Sequence, residues 1–139
     1  SMETLIDRIR KHEGFRKRPY LDSQNVWTVG WGHQLSDPSE APKTVDELEI
    51  LFIEDLYEAT RTALGFVHQS PTEVPSEIFS VIVEMAFNLG YYRLSQFKKF
   101  QKALFQSDYK EAARQMLDSL WAEQVGQRAV RLAKIVGGV

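Results

Sequence analysis

Apolar residues recur at helical spacing over most of the chain, and alternation with polar residues is confined to a short stretch near the N-terminus. Residues 3–13 carry one apolar stripe, which predicts a first helix. Thr44-Val45-Asp46-Glu47 is a capping box, so a long helix is expected to open there. Its apolar period continues to about His68, and Pro71 should prevent it from running further.

The remainder of the chain predicts helices only. The segment opened by Pro75-Ser76 has almost no polar face, which indicates a buried helix, and Gly90 is expected to stop it. Three amphipathic helices should follow. One spans Leu94 to Phe105, one begins after the cap residue Asp108 and continues through Trp121, and one runs from about Gln127 to Val136.

The alternating stretch predicts a β-hairpin. Tyr20 to Asp22 is the expected first strand, Ser23-Gln24-Asn25 the turn, and Val26 to His33 the second strand. Side chains alternate between the two faces of a strand, so Thr28, Gly30 and Gly32 should share one face that is almost bare. Bare backbone suits a place where another molecule approaches closely. The hairpin is therefore the expected floor of a cleft, and the fold class is α+β.

Composition restricts the function classes. A chain of 139 residues with 43% hydrophobic and 26% charged residues is expected to form a single globular domain. It contains no cysteine, which excludes disulfides and thiolate chemistry. No apolar run is long enough to span a membrane, so no stable membrane insertion is expected. The first residues lack the apolar core of a signal peptide.

Charge is distributed unevenly. Residues 1–92 carry 8 Lys and Arg against 15 Asp and Glu, and residues 93–139 carry 9 against 4. A basic last third could steer the protein toward an anionic polymer such as a cell wall or a nucleic acid, or could simply be a solvated helical surface. No recognition helix or nucleic-acid motif accompanies it, so no nucleic-acid partner is expected.

Two carboxylates flank the predicted cleft floor. Glu13 ends the first helix, and Asp22 lies at the hairpin turn. Such a pair can serve glycoside hydrolysis, in which one carboxylic acid protonates the leaving oxygen and one carboxylate acts on water or carbon. Spacing alone leaves the alternative open that Glu13 is a solvated helix-end residue and Asp22 bonds its own turn backbone.

The residue identities add a family resemblance. Glu13-Gly14, Tyr20-Leu21-Asp22 and the run from Trp27 to His33 resemble the signature of the phage-type lysozymes, the muramidase endolysins of glycoside hydrolase family 24. The resemblance implies that Glu13, Asp22 and Thr28 form the catalytic set. It implies a lysozyme-like α+β fold, in which a small antiparallel lobe is joined by a long helix to a helical lobe with the cleft between them.

In this interpretation the whole chain, 1–139, is one domain. Residues of about 14–42 form the β lobe, and residues 43–139 with the N-terminal helix form the helical part. The implied activity is hydrolysis of the β-1,4 bond from N-acetylmuramic acid to N-acetylglucosamine in peptidoglycan, with inversion and without a cofactor. The implied substrate-binding residues are Gly30, Gly32, Gln34, Phe87 and Asn88, although core packing is an equal alternative for Phe87.

Three further residues are expected to support the site. The resemblance couples His33 to Asp55, and we interpret this His–Asp bond as structural. A metal site is not expected, because His12 and His68 have no ligand spacing with His33. Arg128 matches a family arginine near the catalytic Glu. It could orient that carboxylate or oppose acid catalysis by lowering its pKa, and the sequence does not decide which effect dominates.

The expected partner is the glycan strand of peptidoglycan, and a monomer is expected. Without a signal peptide, the protein should stay in the host cytoplasm until a holin or another release protein opens a route to the wall. The alternative is a non-catalytic wall-binding or structural domain of a phage particle on the same fold, since fold alone does not imply activity.

Overall fold

The computed structural model describes residues 2–138, with side chains from Leu5 onward. Its elements confirm the α+β class, and they comprise seven α-helices and three short strands within these residues. The chain divides into two compact units, an N-terminal unit through Glu58 and a C-terminal unit from Ala59 onward. The predicted boundary near residue 42 separates a β lobe from a helical part rather than two compact units, and it stays a prediction. None of the helices within residues 2–138 has the length and apolarity needed to cross a bilayer.

The N-terminal unit begins with helix α1 (Met2–Glu13) and continues into a three-stranded antiparallel sheet. The strands are β1 (Arg16–Leu21), β2 (Trp27–Gly30) and β3 (His33–Gln34), in the order β1-β2-β3. Tyr20 in β1 is paired with Thr28 in β2, and Thr28 is paired with Gln34 in β3. Thr28 therefore lies on the central strand, with a neighbour on each side.

The predicted second strand from Val26 to His33 is wrong in its extent. Gly30 and Gly32 have φ values of +65° and +78°, and Trp31 and Gly32 form a turn between β2 and β3. Positive φ is incompatible with extended backbone, so the strand ends at Gly30 and the side-chain period of two ends with it. The first strand is longer than predicted and begins at Arg16.

A compact set of side chains holds this unit together. Ile9, Val29 and Leu48 are completely or almost completely buried. The Arg10 guanidinium lies 4.4 Å from the ring centroids of both Trp31 and Phe52. It also donates two hydrogen bonds to Glu49, of 3.1 and 2.8 Å, and this pairing lowers the pKa of the Glu49 carboxyl. One side chain of α1 thus contacts both the β2–β3 turn and the long helix that contains Glu49 and Phe52.

Helix α2 (Val45–Val67) follows a single 3-10 turn (Pro38–Glu40) and confirms the predicted long helix. The Thr44 cap expected at its start is present, but Glu47 contacts the Thr44 hydroxyl rather than the Thr44 backbone N–H of a full capping box. The Thr44 hydroxyl oxygen accepts a hydrogen bond from the Glu47 backbone N–H at 3.2 Å, and the hydroxyl donates to the Glu47 carboxylate at 2.9 Å. Asp46 and Glu47 in the first turn also complement the positive end of the helix.

The C-terminal unit is a helical bundle around α3 (Ser76–Ser95). Ile78, Val81, Ile82 and Met85 of this helix are completely buried, which confirms the prediction of a core helix. The helices that follow are α4 (Lys98–Phe105), α5 (Tyr109–Leu117), α6 (Leu120–Val125) and α7 (Gln127–Gly137). Helix α7 packs on α3, α5 and α6, while α4 packs on α5.

Three helix boundaries differ from the predictions, the first being that α4 begins at Lys98 rather than at Leu94, which belongs to α3. Gly90 has φ +78° and ψ 172°, which interrupts helical geometry, but the chain resumes the helix as far as Ser95. The single helix predicted to run through Trp121 is two helices. Helix α5 ends at Leu117, and the Ser119 hydroxyl accepts from the Ala122 N–H to cap α6.

Candidate active site

Glu13 is the last residue of α1, and its carboxylate packs against the backbone of the β2–β3 turn. A Cβ atom added to Gly32 would lie 2.5 Å from Glu13 Oε1 and 3.3 Å from its Cδ. No side chain could occupy that space without moving the carboxylate. Gly14, at φ +72°, turns the chain away from the helix and closes it with an N–H bond to Arg10 at 2.9 Å. Because position 32 has no side chain, the Glu13 carboxylate can pack against its backbone.

Asp22 is held by the hairpin turn through one of its two oxygens. Oδ1 accepts from the Gln24 N–H at 2.8 Å and from the Val26 N–H at 2.9 Å. The Asp22 N–H in turn bonds the Val26 carbonyl at 3.0 Å, so the turn is closed from both sides. The backbone-bonding role considered for a turn aspartate is thus present. Both of these bonds involve Oδ1, and Oδ2 is left for another contact.

Thr28 is only 3% exposed, and its hydroxyl donates to the Val26 carbonyl at 2.9 Å. That bond commits the hydroxyl proton to the backbone. The oxygen keeps lone pairs that can accept a hydrogen bond. At so low an exposure, a water molecule is better suited to reach it than a bulky group. Val26 therefore connects the two residues, because its N–H binds Asp22 and its carbonyl binds Thr28.

Tyr20 is a site residue to which the sequence analysis gave no role. It lies directly across the sheet from Thr28. Burial raises the pKa of its phenol above the ordinary value of 10.0; the Arg16 charge opposes this rise, and the Glu13 and Asp22 charges add to it. The Arg16 guanidinium lies 4.3 Å from the ring centroid. The phenol therefore feels the negative charge of both Glu13 and Asp22. The sequence signal that could have identified Tyr20 is its place in the predicted hairpin, on the strand opposite Thr28.

The bare face predicted for Thr28, Gly30 and Gly32 is wrong. Gly30 is buried, and a Cβ there would contact Leu48 Cδ2 of α2 at 3.3 Å. Gly32 lies in the turn and faces Glu13. Each glycine is explained by positive φ and by one close neighbour. Substrate contact by either glycine stays a prediction.

His33 and Asp55 form the contact that the resemblance implied. His33 Nδ1 and Asp55 Oδ2 are 2.8 Å apart, which joins β3 to α2. The hydrogen bond to Asp55 raises the pKa of the imidazole against the effect of burial. Beside this pair, Gln34 lines an open hollow of about 280 Å³ together with Ser36, Glu40 and neighbouring residues. Its proposed sugar contact stays a prediction.

Arg128 has a buried partner that the sequence analysis missed. Its Nε donates to Glu84 Oε2 at 2.9 Å, and Glu84 is fully buried in α3. A lone acidic residue within the apolar stretch from Ile78 to Leu89 was the signal for such an ion pair, since a buried carboxylate requires a partner. Whether Arg128 orients Glu13 stays a prediction.

Asn88 and Phe87 lie at the middle of α3 and are half-buried. The Asn88 side-chain oxygen accepts from the Trp121 indole N–H at 2.8 Å, so part of its hydrogen-bonding capacity is used within the C-terminal unit. Trp121 also lines a hollow of about 470 Å³ with Leu89, Phe97 and other residues of α4 to α6, a feature that the sequence analysis did not identify. Sugar contact by Phe87 and Asn88 stays a prediction.

The comparisons with known proteins agree with the fold. Two Dictyostelium discoideum proteins named as probable T4-type lysozymes 1 and 2 are each 24% identical to the chain, over 97% and 96% of its length and 94% of theirs. The pre-baseplate central spike protein Gp5 of Enterobacteria phage T4 is also 24% identical, over 96% of this chain and 27% of the spike protein. At family level, these matches support lysozyme-like hydrolysis of peptidoglycan. The profile of the phage lysozyme family spans residues 10–134, and the chain therefore belongs to that family.

Proposed function

We propose that this protein is an N-acetylmuramidase that cleaves the β-1,4 bond from N-acetylmuramic acid to N-acetylglucosamine. Glu13 is the general acid, and Asp22 and Thr28 hold the attacking water. The observation that carries the proposal is the placement of Glu13 against the side-chain-free backbone of Gly32. One small sheet unit thereby presents an acid at a helix end and two oxygen ligands at a hairpin turn.

Glu13 suits the acid role because of its position at the C-terminal end of α1. A helix C-terminus carries partial negative charge, which disfavours a carboxylate and favours the protonated form that can donate to a leaving oxygen. The tight approach to Gly32 fixes the carboxyl group in one location. A proton donor must lie within hydrogen-bond reach of the leaving group, so this fixed location contributes directly to the reaction.

Thr28 suits the water-binding role because its proton is already committed to Val26. Toward a water molecule the hydroxyl can then act only as an acceptor. In our proposal one water donates to Thr28 and to Asp22 Oδ2, so its lone pair is directed toward the anomeric carbon. The water loses its proton to Asp22 as the new C–O bond forms, and the leaving oxygen takes the Glu13 proton. Attack by water on the face opposite the leaving group gives inversion.

A second candidate function is a wall-docking domain of a phage particle, without hydrolysis. The match to the phage T4 protein favours it, because that protein is named as a pre-baseplate central spike protein. Its match with this chain covers only about a quarter of the spike protein's length. Measurement of hydrolysis distinguishes the two candidates.

The decisive experiment compares Glu13→Gln with Glu58→Gln. The first variant keeps size and polarity but cannot donate a proton, so clearing of a peptidoglycan suspension should fall by about 10²–10⁴-fold. Glu58 is an exposed acid on α2 and provides the matched control, which should clear at the wild-type rate. Circular dichroism verifies that both variants are folded. Normal clearing by folded Glu13→Gln would refute the acid assignment, and a wild-type protein that binds wall without releasing new reducing ends would favour the docking role.

A further inference from the structure

Helix α2 presents a row of exposed apolar side chains on the face opposite its buried residues. Ile50, Ile53, Tyr57 and Leu64 are 57%, 61%, 65% and 54% exposed, and we refer to these four residues as the α2 stripe. Single exposed apolar residues are normal on protein surfaces. Four of them on one face of one helix form an apolar row, and a group of exposed apolar residues usually indicates an interaction site.

The spacing of the α2 stripe is that of a coiled-coil seam. Intervals of 3, 4 and 7 residues place Ile50, Tyr57 and Leu64 at a positions and Ile53 at a d position of consecutive heptads. Thr60 and Val67 occupy the two remaining d positions. The core-facing residues of the same helix, among them Leu48, Phe52, Ala59 and Ala63, lie outside these positions. The stripe therefore lies on the other side of the helix from these core residues, and at its C-terminal end Leu64 and Val67 line an open hollow with Val74 and Phe79.

The stripe is complementary to itself in the antiparallel direction. When two α2 helices cross about a two-fold axis between residues 58 and 59, Ile50 faces Val67 of the second copy. Ile53 then faces Leu64, and Tyr57, the bulkiest side chain, faces Thr60, the smallest of the six. Each layer pairs an a position with a d position, which is the packing of antiparallel helix pairs.

Charges beside the stripe favour the same arrangement. Glu54 and Arg61 are exposed and occupy the e positions, along one edge of the stripe. In the antiparallel pair, Glu54 lies beside Arg61 of the second copy, and the contact occurs twice by symmetry. In a parallel pair, Glu54 would lie beside Glu49 of the second copy, which is already paired with Arg10, and would gain no opposite charge. Charge complementarity thus selects the antiparallel direction.

We propose that two copies of this chain associate through the α2 stripe as an antiparallel, two-fold symmetric dimer. This departs from the monomer expected from the sequence. The seam from Ile50 to Val67 is 18 residues, or about 27 Å, long. One helix face of this length buries less than the roughly 800 Å² per partner of a standard interface. The dimer is therefore weak, reversible and dependent on protein concentration.

Sedimentation equilibrium tests the association. The apparent mass of the wild-type chain should rise from 16.0 kDa toward twice that value between about 10 µM and 1 mM. Ile53→Glu introduces a charge at a position that is exposed in the single chain, so it should stay folded by circular dichroism and remain at 16.0 kDa. A wild-type protein that stays monomeric at the highest concentration would overturn the proposal. So would a dimer that persists in Ile53→Glu.

A charge-reversal cycle tests the register. Glu54→Arg and Arg61→Glu should each weaken dimerisation by about tenfold or more, because each places like charges across the seam twice. The double variant restores opposite charges and should recover most of the wild-type dissociation constant. Single variants that dimerise as strongly as the wild type would exclude the antiparallel pairing. A double variant that dimerises as weakly as the single variants would exclude it as well.

Single cysteines test the direction, since the natural chain contains none. A mixture of Ile53→Cys and Leu64→Cys should be joined by a thiol crosslinker that spans about 8–10 Å, the separation of packed helix axes. Ile50→Cys alone should not be joined, because the two copies of residue 50 lie at opposite ends of the seam. Efficient crosslinking of Ile50→Cys would indicate a parallel pair and would refute the proposal.

Discussion

The two compact units use hydrogen-bonded polar side chains in opposite ways. In the N-terminal unit, the hydrogen bonds from Gln24 and Val26 reach Asp22 through one oxygen, and Thr28 commits its proton to Val26. In the C-terminal unit, Glu84 and Arg128 are bound to each other inside a helical bundle. The first arrangement leaves oxygen atoms for outside molecules, whereas the second pairs a buried carboxylate with a buried guanidinium. In our proposal the N-terminal unit carries the chemistry, while the buried Glu84–Arg128 pair contributes to the stability of the C-terminal unit.

The largest effect should come from breaking the buried pair of the C-terminal unit. Glu84→Ala removes a hydrogen-bonded, buried partner of Arg128 and should destabilise the protein by about 3–5 kcal/mol. Thermal and urea unfolding measure this loss. The double variant Glu84→Leu/Arg128→Leu should lose less stability than the sum of the two single variants, because no buried charge is left behind. Additive losses would contradict a direct pair.

The next largest effect is a loss of activity that should occur at only one of two glycines with the same φ angle. Gly32 and Gly90 both have φ +78°, but a Cβ meets Glu13 at Gly32 and nothing within 4 Å at Gly90. Both alanine variants should lose about 1 kcal/mol or more of stability from the left-handed backbone. Only Gly32→Ala should also lose about 10²-fold in clearing rate, because it displaces the proposed acid. Equal clearing rates for the two variants would contradict the packing of the Glu13 carboxylate against Gly32.

A smaller effect is expected from the hydroxyl of Thr28. Thr28→Val keeps the shape but removes the acceptor proposed for the water, and it should lower the clearing rate by about tenfold or more. Thr28→Ser keeps the hydroxyl and should retain a larger part of the activity. Rates are compared at equal folded fraction, determined from melting curves. A valine variant as active as the serine variant would remove Thr28 from the proposed mechanism.

The smallest effect is a pH dependence of stability at the His33–Asp55 pair. The hydrogen bond raises the pKa of His33 above its ordinary value of 6.5. Its contribution is therefore complete below about pH 6.5 and is lost as pH rises through the folded-state pKa. Because the pair is partly exposed, the change should not exceed about 1 kcal/mol. Melting temperatures from pH 5 to 9 should show this slope in the wild type and a flatter one in Asp55→Asn.

Local features of the fold were predictable from the sequence, whereas features set by tertiary packing were not. Helices with strong local signals were predicted closely, such as α2 with its Thr44 cap and α7 from Gln127. The hairpin turn around Asp22 was also recognisable, because turn residues act over a few positions. The ends of β2 and the continuation of α3 past Gly90 were not predictable. They depend on whether a glycine adopts positive φ, and that choice is made by tertiary packing.

The site shows the same limit. The identities of Glu13, Asp22 and Thr28 were accessible through a family pattern, but the reason for Gly32 was not, because it is a contact across 19 residues of chain. The buried Glu84 was overlooked because the apolar period of α3 dominates that stretch. Periodicity identifies which face is buried. It does not identify which polar residue is paired within that face.

Arg10 restrains the helix end that carries the proposed acid, Glu13. Helix ends usually fray, and Glu13 is the last residue of its helix. One turn earlier, the Arg10 guanidinium stacks on Trp31 and Phe52 and forms a two-pronged pair with Glu49. A lysine could keep the charge but neither the fork nor the stacked plane. The conformational entropy of orienting the carboxyl group is thus lost when the chain folds, rather than at each encounter with a glycan strand.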